Sequence, residues 1–446
     1  MNSSESAEES DGLPDKNLNG FELRFYNYNK EHFTWAENQL YAETATGEVL
    51  NDAIYKRNTK IEERFNAKIV ETLVKDTKTE LNNTVMAGDD IYDVVMLWDQ
   101  DTANMYANDI ILKWNDMPYI NFGKKWWDPE ANAVFTINGD QFAAIGDFSL
   151  SMKSRNYLFA MNKTMYSEVG DTSDIYKLVY DGGWTYDKFL SIAKDFVSDM
   201  NGDTKMDEND RYGITSAVKL YYQAMIASAG CRYIDSDKNG DLYFTLATDS
   251  RAVDVLGKLF EKNSSGDIYY SAADDIHFTN FEFFQNRHAL FIATSLGNTY
   301  SFREVEDDIA LLPVPKYDET QEGYRSLSAG GALAVLPATV TDERKENIGL
   351  LLEALSFDSS KSVLPAYYET TLKGKIARDE DSVKMLDIIL ESSFYDLGVS
   401  LWPAATLNPI MQNVFMPMNN QIASTIAGMT ATVESKIADI TEKDKK

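Results

Sequence analysis

Hydrophobic and polar positions alternate from Phe21 onward, and Glu22-Leu23-Arg24-Phe25-Tyr26-Asn27 reads as a half-buried strand. A helical period follows over about 51–65, then a short strand, Lys68-Ile69-Val70-Glu71. A second helix around 81–87 stops at Gly88-Asp89-Asp90, and Tyr92-Asp93-Val94-Val95-Met96-Leu97 is a third, more apolar strand. This βαβαβ order, with strands that read as buried, predicts a parallel sheet covered by helices. Ligands of such sheets sit beyond the carboxyl ends of the strands. Here those ends are 27–35 and Trp98-Asp99-Gln100-Asp101, both rich in aromatic and polar residues.

A second apolar run, Tyr157-Leu158-Phe159-Ala160-Met161-Asn162, predicts another strand. Helices are expected at 175–179 and 185–197, a turn-rich acidic loop at 199–210 and a strand at Tyr212-Gly213-Ile214. Two further helices, near 221–229 and 249–262, flank Asp237-Lys238-Asn239-Gly240-Asp241, whose Asn-Gly pair signals a hairpin. Strands are expected at 289–293, 309–313 and 332–337. The last hundred residues pattern as helix, most clearly at 348–355, 382–390 and 408–438. No internal repeat is visible. Residues 1–20 mix Ser3, Ser4, Ser6 and Ser10 with Glu5, Glu8, Glu9 and Asp11 and carry no aromatic residue, so they are expected to be a disordered, solvated tether. They lack the basic start and apolar run of a signal peptide, and their polar beginning suggests a segment removed upstream.

Length changes the picture first. A chain of 446 residues is enough for two or three domains, each with its own core. Its 71 acidic against 42 basic residues leave a formal charge of −29, which repels phosphate backbones and anionic headgroups and argues against nucleic acid or a bare membrane surface as partner. No apolar stretch approaches the roughly 18 residues of a spanning helix. The single cysteine, Cys231, follows Ala224-Met225-Ile226-Ala227 and is expected to be a buried structural thiol. The histidines are three, His32, His277 and His288, too scattered to suggest a dyad or a metal cluster.

The sharpest local signal is the loop 199–210. Asp199, Asn201, Asp203, Asp207 and Asp210 occupy positions 1, 3, 5, 9 and 12, and Lys205 offers a carbonyl at position 7, the spacing that wraps a calcium ion in oxygens. Thr204 stands where that loop usually has glycine, and Asp210 replaces the bidentate glutamate. A structural calcium that braces the loop is therefore expected, beside the alternative of an acidic solvated turn, and no organic cofactor. The run 235–241 looks similar, but its twelfth position is Leu246, so it is read as a hairpin.

Aromatic residues crowd the predicted loops and strand ends. Flat rings suit sugars, whose axial C–H faces are apolar, while neighbouring polar groups satisfy the hydroxyl rim. Packing explains many single rings equally well, and Trp126-Trp127 above all, since a strand would point the two to opposite faces. The sequence has no G-x-S-x-G, H-E-x-x-H, G-x-x-x-x-G-K or G-x-G-x-x-G motif. Among 71 carboxylates no pair is marked out as the acid and base of a glycoside hydrolase, a reading that stays as an alternative.

Several segments, in this order and spacing, carry a resemblance: Tyr92-Asp93-Val94-Val95, Lys125-Trp126-Trp127-Asp128, Gly146-Asp147-Phe148-Ser149-Leu150, Gly183-Trp184-Thr185-Tyr186-Asp187, Leu312-Pro313-Val314-Pro315-Lys316-Tyr317 and Pro365-Ala366-Tyr367-Tyr368-Glu369. Over roughly 21–440 the chain resembles the extracellular, carbohydrate-type (family 1) solute-binding lipoproteins of bacterial ABC importers, in particular those of Gram-positive Firmicutes. The resemblance implies a two-lobe α/β fold of the type II periplasmic-binding-protein kind with a multi-strand hinge, each lobe a mostly parallel sheet flanked by helices. It implies an N-terminal lobe of 21–150 plus 292–337 and a C-terminal lobe of 151–291 plus 338–446. The chain would cross near 148–157, 287–293 and 337–339.

The resemblance further implies a non-catalytic, monomeric receptor at the outer cell surface, held to the membrane only by a lipid-carrying cysteine upstream. It would pass a carbohydrate, in particular an oligosaccharide, to ABC permease subunits. An acidic saccharide, a peptide or another polar solute suits the same class, and a surface adhesion module is a further alternative. In maltodextrin-type members an acidic residue commonly precedes the second-lobe strand, whereas here Lys153-Ser154-Arg155-Asn156 stands there, fit to pair with an acidic sugar or to bridge the hinge. The expected ligand-binding residues are Asn27, Tyr28, Trp35, Trp98, Asp99 and Asp101 in the first lobe. At the crossings and second lobe they are Asp147, Arg155, Tyr221, Tyr222, Ser295, Asn298, Tyr367 and Trp402.

Overall fold

The computed structural model describes residues 10–168, 174–264, 266, 268–271, 279–303, 305–372 and 380–443. The alternating segment forms β1 (Phe21–Tyr28). Helix α1 (Val49–Phe65) ends at Asn66, which adopts the left-handed conformation and returns its N–H to Glu62, and β2 (Ala67–Val74) follows. Helix α2 (Thr77–Ala87) is capped by the Asp76 side chain and closed by left-handed Gly88. It leads to β3 (Val94–Trp98), α3 (Asp99–Ala107) and the short β4 (Ile111–Leu112).

The second lobe is built on β5 (Tyr157–Asn162), β6 (Tyr212–Thr215), helix α4 (Val218–Ser228), β7 (Tyr269–Tyr270), β8 (Ala289–Ser295) and β9 (Ile309–Pro313). The chain then returns to the first sheet as β10 (Ala332–Pro337). The first sheet runs β2-β1-β3-β10-β4 and the second β7-β6-β8-β5-β9. The expectation of a mostly parallel sheet in each lobe is not met: β1 runs parallel to β2 and β3, but β10 is antiparallel to both its neighbours. Likewise β6 is parallel to β7 and β8, whereas β5 is antiparallel to β8 and β9. The strands that break the parallel pattern, β5 and β10, are those that enter each sheet from the other lobe.

The predicted hairpin is present, with Ile234–Ser236 antiparallel to Leu242–Phe244. Helices α5 (Asp342–Lys361), α6 (Val363–Leu372), α7 (Glu380–Glu391) and α8 (Ile422–Thr441) complete the chain. The long helix expected over 408–438 is broken. A π turn at Met411–Phe415 precedes Pro417, which cannot continue a helical ladder, and Met418 takes φ 47°.

Three crossing segments lie side by side. Asn156 pairs antiparallel with Ser328, and Ser326–Leu327 pairs parallel with Ser393–Phe394. The first crossing falls where expected, but the other two do not. β8 and β9 both pair with β5, so the chain leaves the second lobe only after Pro313, over 314–331, and not at 287–293. After β10 it stays in the first lobe, because α5 packs on α1 and β1 and its Ile348, Leu351 and Leu355 join the core of Leu23 and Phe25. The second lobe resumes with α7 on β9, whereas α6 packs on α1, so the return to the second lobe falls between α6 and α7 and not at 337–339.

Residues 10–20 do not form the disordered tether expected from sequence. Residues 10–20 dock on the first lobe: buried Leu18 donates its N–H to Phe65 at 2.7 Å, Leu13 packs on the core, and Asp11 pairs with Arg64. Two leucines in polar surroundings suffice for that anchoring. Residues 1–9 lie outside the described residues. Trp126 and Trp127 are fully buried and donate their indole N–H groups to one carboxylate, Glu353, at 2.9 and 2.5 Å. Cys231 is buried as expected, and burial pushes its thiol up to about 11. Among the described residues no helix is long and apolar enough to cross a membrane.

Candidate functional site

The carboxyl end of β3, the segment entering β5 and the first turns of α4 meet around a cavity of about 320 Å³ between the two sheets. Its volume lies at the lower end of the range for small-molecule sites. Trp35 and Trp98 form one wall, their ring centroids 5.7 Å apart and inclined at 49°. Trp35 is held from behind by Phe33 at 4.6 Å and donates its indole N–H to Gly330 O at 2.9 Å. Leu220, Val399 and Leu407 supply the apolar part opposite, and Gln100, Lys219 and Gln223 the polar edge.

Arg155 knits the crossings together. Its Nε donates to Ala329 O at 3.1 Å, Nη1 to Trp35 O at 2.9 Å and to Ser295 Oγ at 3.1 Å, and Nη2 to the Tyr157 hydroxyl at 3.1 Å. Gln223 also donates to that hydroxyl, at 2.6 Å. Asp99 holds the returning segment from the first-lobe side: Oδ2 accepts from Gly330 N at 2.7 Å and Oδ1 from Gln100 N at 2.8 Å. Gly330 has φ +79°, and a Cβ on Gly331 would stand 2.7 Å from Met152 Sδ, so both glycines are required by this close approach. Burial pushes Asp99 up to about 7 against the pull of those N–H groups and of Arg155. Burial also raises Tyr157 and lowers Lys219, with Asp99 opposing the latter.

Of the residues expected from sequence, the cavity gathers Trp35, Trp98, Asp99 and Arg155. Asp101 and Trp402 line a neighbouring cavity of about 580 Å³, which shares Gln100 and Pro403 with the first, and Asp101 pairs there with Lys78 at 2.6 Å. Ser295 lies behind Arg155 as its acceptor. Tyr367 faces a separate cavity of about 600 Å³ beside Glu37 and Arg303.

The remaining expectations are corrected. Asn27 is buried beneath the cleft, donating to Asn38 O at 2.6 Å and Glu71 Oε1 at 2.7 Å, and Tyr28 stacks on Phe33 at 4.7 Å. Asp147 is buried against Lys153 at 3.1 Å in the hinge, so neither of these charges faces the cleft. Tyr221 and Tyr222 sit in the core, Tyr221 against Tyr269 and Tyr222 against Phe415. Both follow Lys219 on α4, and the turn of the helix carries their rings inward. Asn298 is buried, with its amide nitrogen lacking a hydrogen-bond partner, and lines none of these cavities.

Sequence reasoning missed Thr34, Gln100, Tyr157, Lys219 and Gln223. A signal existed for Lys219, a lone charge in the otherwise apolar and aromatic stretch 217–222. Tyr157 was hidden by its place in an apolar strand.

In the loop 199–210 the side-chain oxygens accept backbone N–H groups of the loop itself. Asp199 accepts from Gly202 N and Thr204 N, Asp203 from Lys205 N, Asp207 from Asn209 N and Asp210 from Met200 N and Asp207 N, while Asn201 accepts from Asp203 N. Among the described residues no three His, Cys, Asp or Glu side chains gather where they could hold a metal ion.

No family model matches the chain, and no curated protein matches it in sequence. Its fold, by contrast, is that of solved two-lobed α/β solute-binding proteins. RafE from Streptococcus pneumoniae aligns with TM-score 0.59 and 15% identity over 92% of this chain and 98% of its own. The cyclic α-maltosyl-1,6-maltose binding protein of Arthrobacter globiformis aligns with TM-score 0.59 and 11% identity, covering 95% and 99% of the two chains. An ABC substrate-binding protein from Listeria monocytogenes, solved with cycloalternan, aligns with TM-score 0.54 and 12% identity over 95% and 98%. At these identities the likeness defines the fold and the two-lobe architecture.

Proposed function

We propose that this chain is the substrate-binding component of an ABC importer. It captures a carbohydrate, in particular an oligosaccharide, between its lobes and releases it to the transmembrane permease subunits. The observation that carries the reading is the cleft itself. A pair of tryptophans at the carboxyl end of the first sheet faces hydrogen-bonding side chains at the entry to the second, the mix of apolar wall and placed polar groups that suits a sugar ring. The solved proteins of the same fold include receptors for cycloalternan and cyclic α-maltosyl-1,6-maltose, which supports the same ligand class here. Among the described residues lining the cavity Asp99 is the only carboxylate, and both its oxygens accept backbone N–H groups, whereas glycoside hydrolysis uses two carboxyl groups.

Function is then conformational. A ligand touching both lobes stabilises the closed arrangement by its differential contacts, and no covalent step is involved. The receptor belongs on the outer face of a Gram-positive cell, as a monomer carried by a lipid anchor upstream of residue 1. Thermal melts against an oligosaccharide library test the binding, because a ligand that binds only the folded state raises the melting temperature. We expect at least one oligosaccharide to raise it and to contract the scattering profile. A flat response to every saccharide overturns the proposal.

A further inference from the structure

We infer that the ligand of the cleft is an anionic saccharide, bearing a carboxylate or sulfate group, and that Lys219 is the residue that recognises the charge. The inference rests on the carbohydrate reading above and specifies its class. It starts from an inventory of the charged groups lining the cavity, which are Asp99, Arg155 and Lys219. Two cations against one carboxylate make this a positive recess in a chain of net charge −29.

The three are not equivalent. Asp99 is buried with both oxygens bound to backbone N–H groups. Arg155 is 5% exposed and places four of its five N–H groups on Ala329, Trp35, Ser295 and Tyr157, so its role is to hold the hinge. Lys153, the other basic residue of that crossing, pairs with Asp147. Lys219 is half-buried and has no hydrogen bond or ion pair among the described residues.

A lysine in this position is costly. It stands in the first turn of α4, where the helix dipole disfavours a cation, and burial holds its ammonium below the usual lysine value, opposed only by Asp99. Three N–H donors facing a cleft with no internal acceptor are matched by an anionic oxygen on the guest, and charge-assisted hydrogen bonds are the stronger kind. The neighbouring Trp35 and Trp98 supply the apolar face of the same ring, so charge and stacking act on one saccharide unit.

The test is calorimetric titration of the whole chain with a panel in which each acidic sugar has a neutral counterpart: trigalacturonate and its methyl ester, and a glucuronate-containing and a sulfated disaccharide with their uncharged analogues. We expect at least one acidic member to bind ten times or more tighter than its counterpart, and the difference to shrink at high salt. Lys219→Met is expected to remove the preference and Lys219→Arg to retain it, with the melting temperature lowered in neither, because the side chain is half-exposed and its charge is a cost to the fold. Equal binding of neutral and acidic partners overturns the anionic assignment, and a preference that survives Lys219→Met overturns the role of Lys219; either result leaves the carbohydrate receptor standing. Absence of binding by every saccharide, charged or neutral, overturns both.

Discussion

Asp99 links the cleft to the stability of the fold, and its titration is a quantitative test of the geometry. The carboxyl is 2% exposed, and burial raises it from 3.8 to about 7. A carboxyl whose native pKa lies above its unfolded value binds more protons when folded. Its contribution to stability is therefore fully present below about pH 4 and is lost as pH rises to 7. At about 1.4 kcal/mol per pKa unit, the loss across the whole interval is about 4 kcal/mol, and between pH 5 and 7 about 2.7 kcal/mol. With an unfolding entropy of about 2 cal/mol/K per residue, the full loss lowers the melting temperature by about 4–5 °C if all 446 residues unfold together.

The perturbation that isolates this group is Asp99→Asn. It sacrifices one acceptor, for Gly330 or Gln100, at every pH but no longer titrates. Thermal or urea unfolding of both proteins from pH 5 to 8 gives the gap between them. The gap is expected to shift against the wild type with rising pH and to level off above about 7. A gap that is constant over this range, or that moves in the wild type's favour, would refute the claim that burial of Asp99 outweighs the pull of the Gly330 and Gln100 N–H groups.

Replacing Arg155 by Met leaves the carbonyls of Trp35 and Ala329 without their buried donor and is expected to cost about 3–5 kcal/mol in urea unfolding. It also removes the charge that lowers Asp99, so the pH window above widens upward. Trp98→Ala removes a half-exposed ring from the cleft wall and should weaken saccharide binding tenfold or more in calorimetry while leaving the melting temperature within a few degrees. Glu353→Gln turns an amide N–H₂ toward one of the two tryptophan N–H groups it now accepts, for an expected loss of about 1–3 kcal/mol far from the cleft and no change in saccharide affinity.

The order of elements was largely legible because hydrophobic period is a local property. β1, α1, β2, α2 and β3 all appear where alternation and helical spacing placed them, and the Asn-Gly hairpin follows from turn chemistry alone. The ends of β1 and β3 were likewise marked in advance as the place for a ligand, since a parallel βαβ order dictates which edge of the sheet stays open. Trp35, Trp98 and Asp99, expected on that basis, line the cavity at that end of the sheet.

What the sequence could not determine was pairing and direction. Whether β8 and β9 belong to the first or second lobe depends on hydrogen bonds to β5, more than a hundred residues away, and an apolar strand fits the middle of either sheet. The same limit governs side-chain roles. Tyr221 and Tyr222 occupy the helix that borders the cleft, yet its rotation sends both rings into the core and leaves Lys219 at the opening. Local pattern states which residues bury and which do not, because that depends on composition over a few turns. Only the packed lobes decide which polar groups find partners inside the protein, and hence which remain to meet a guest.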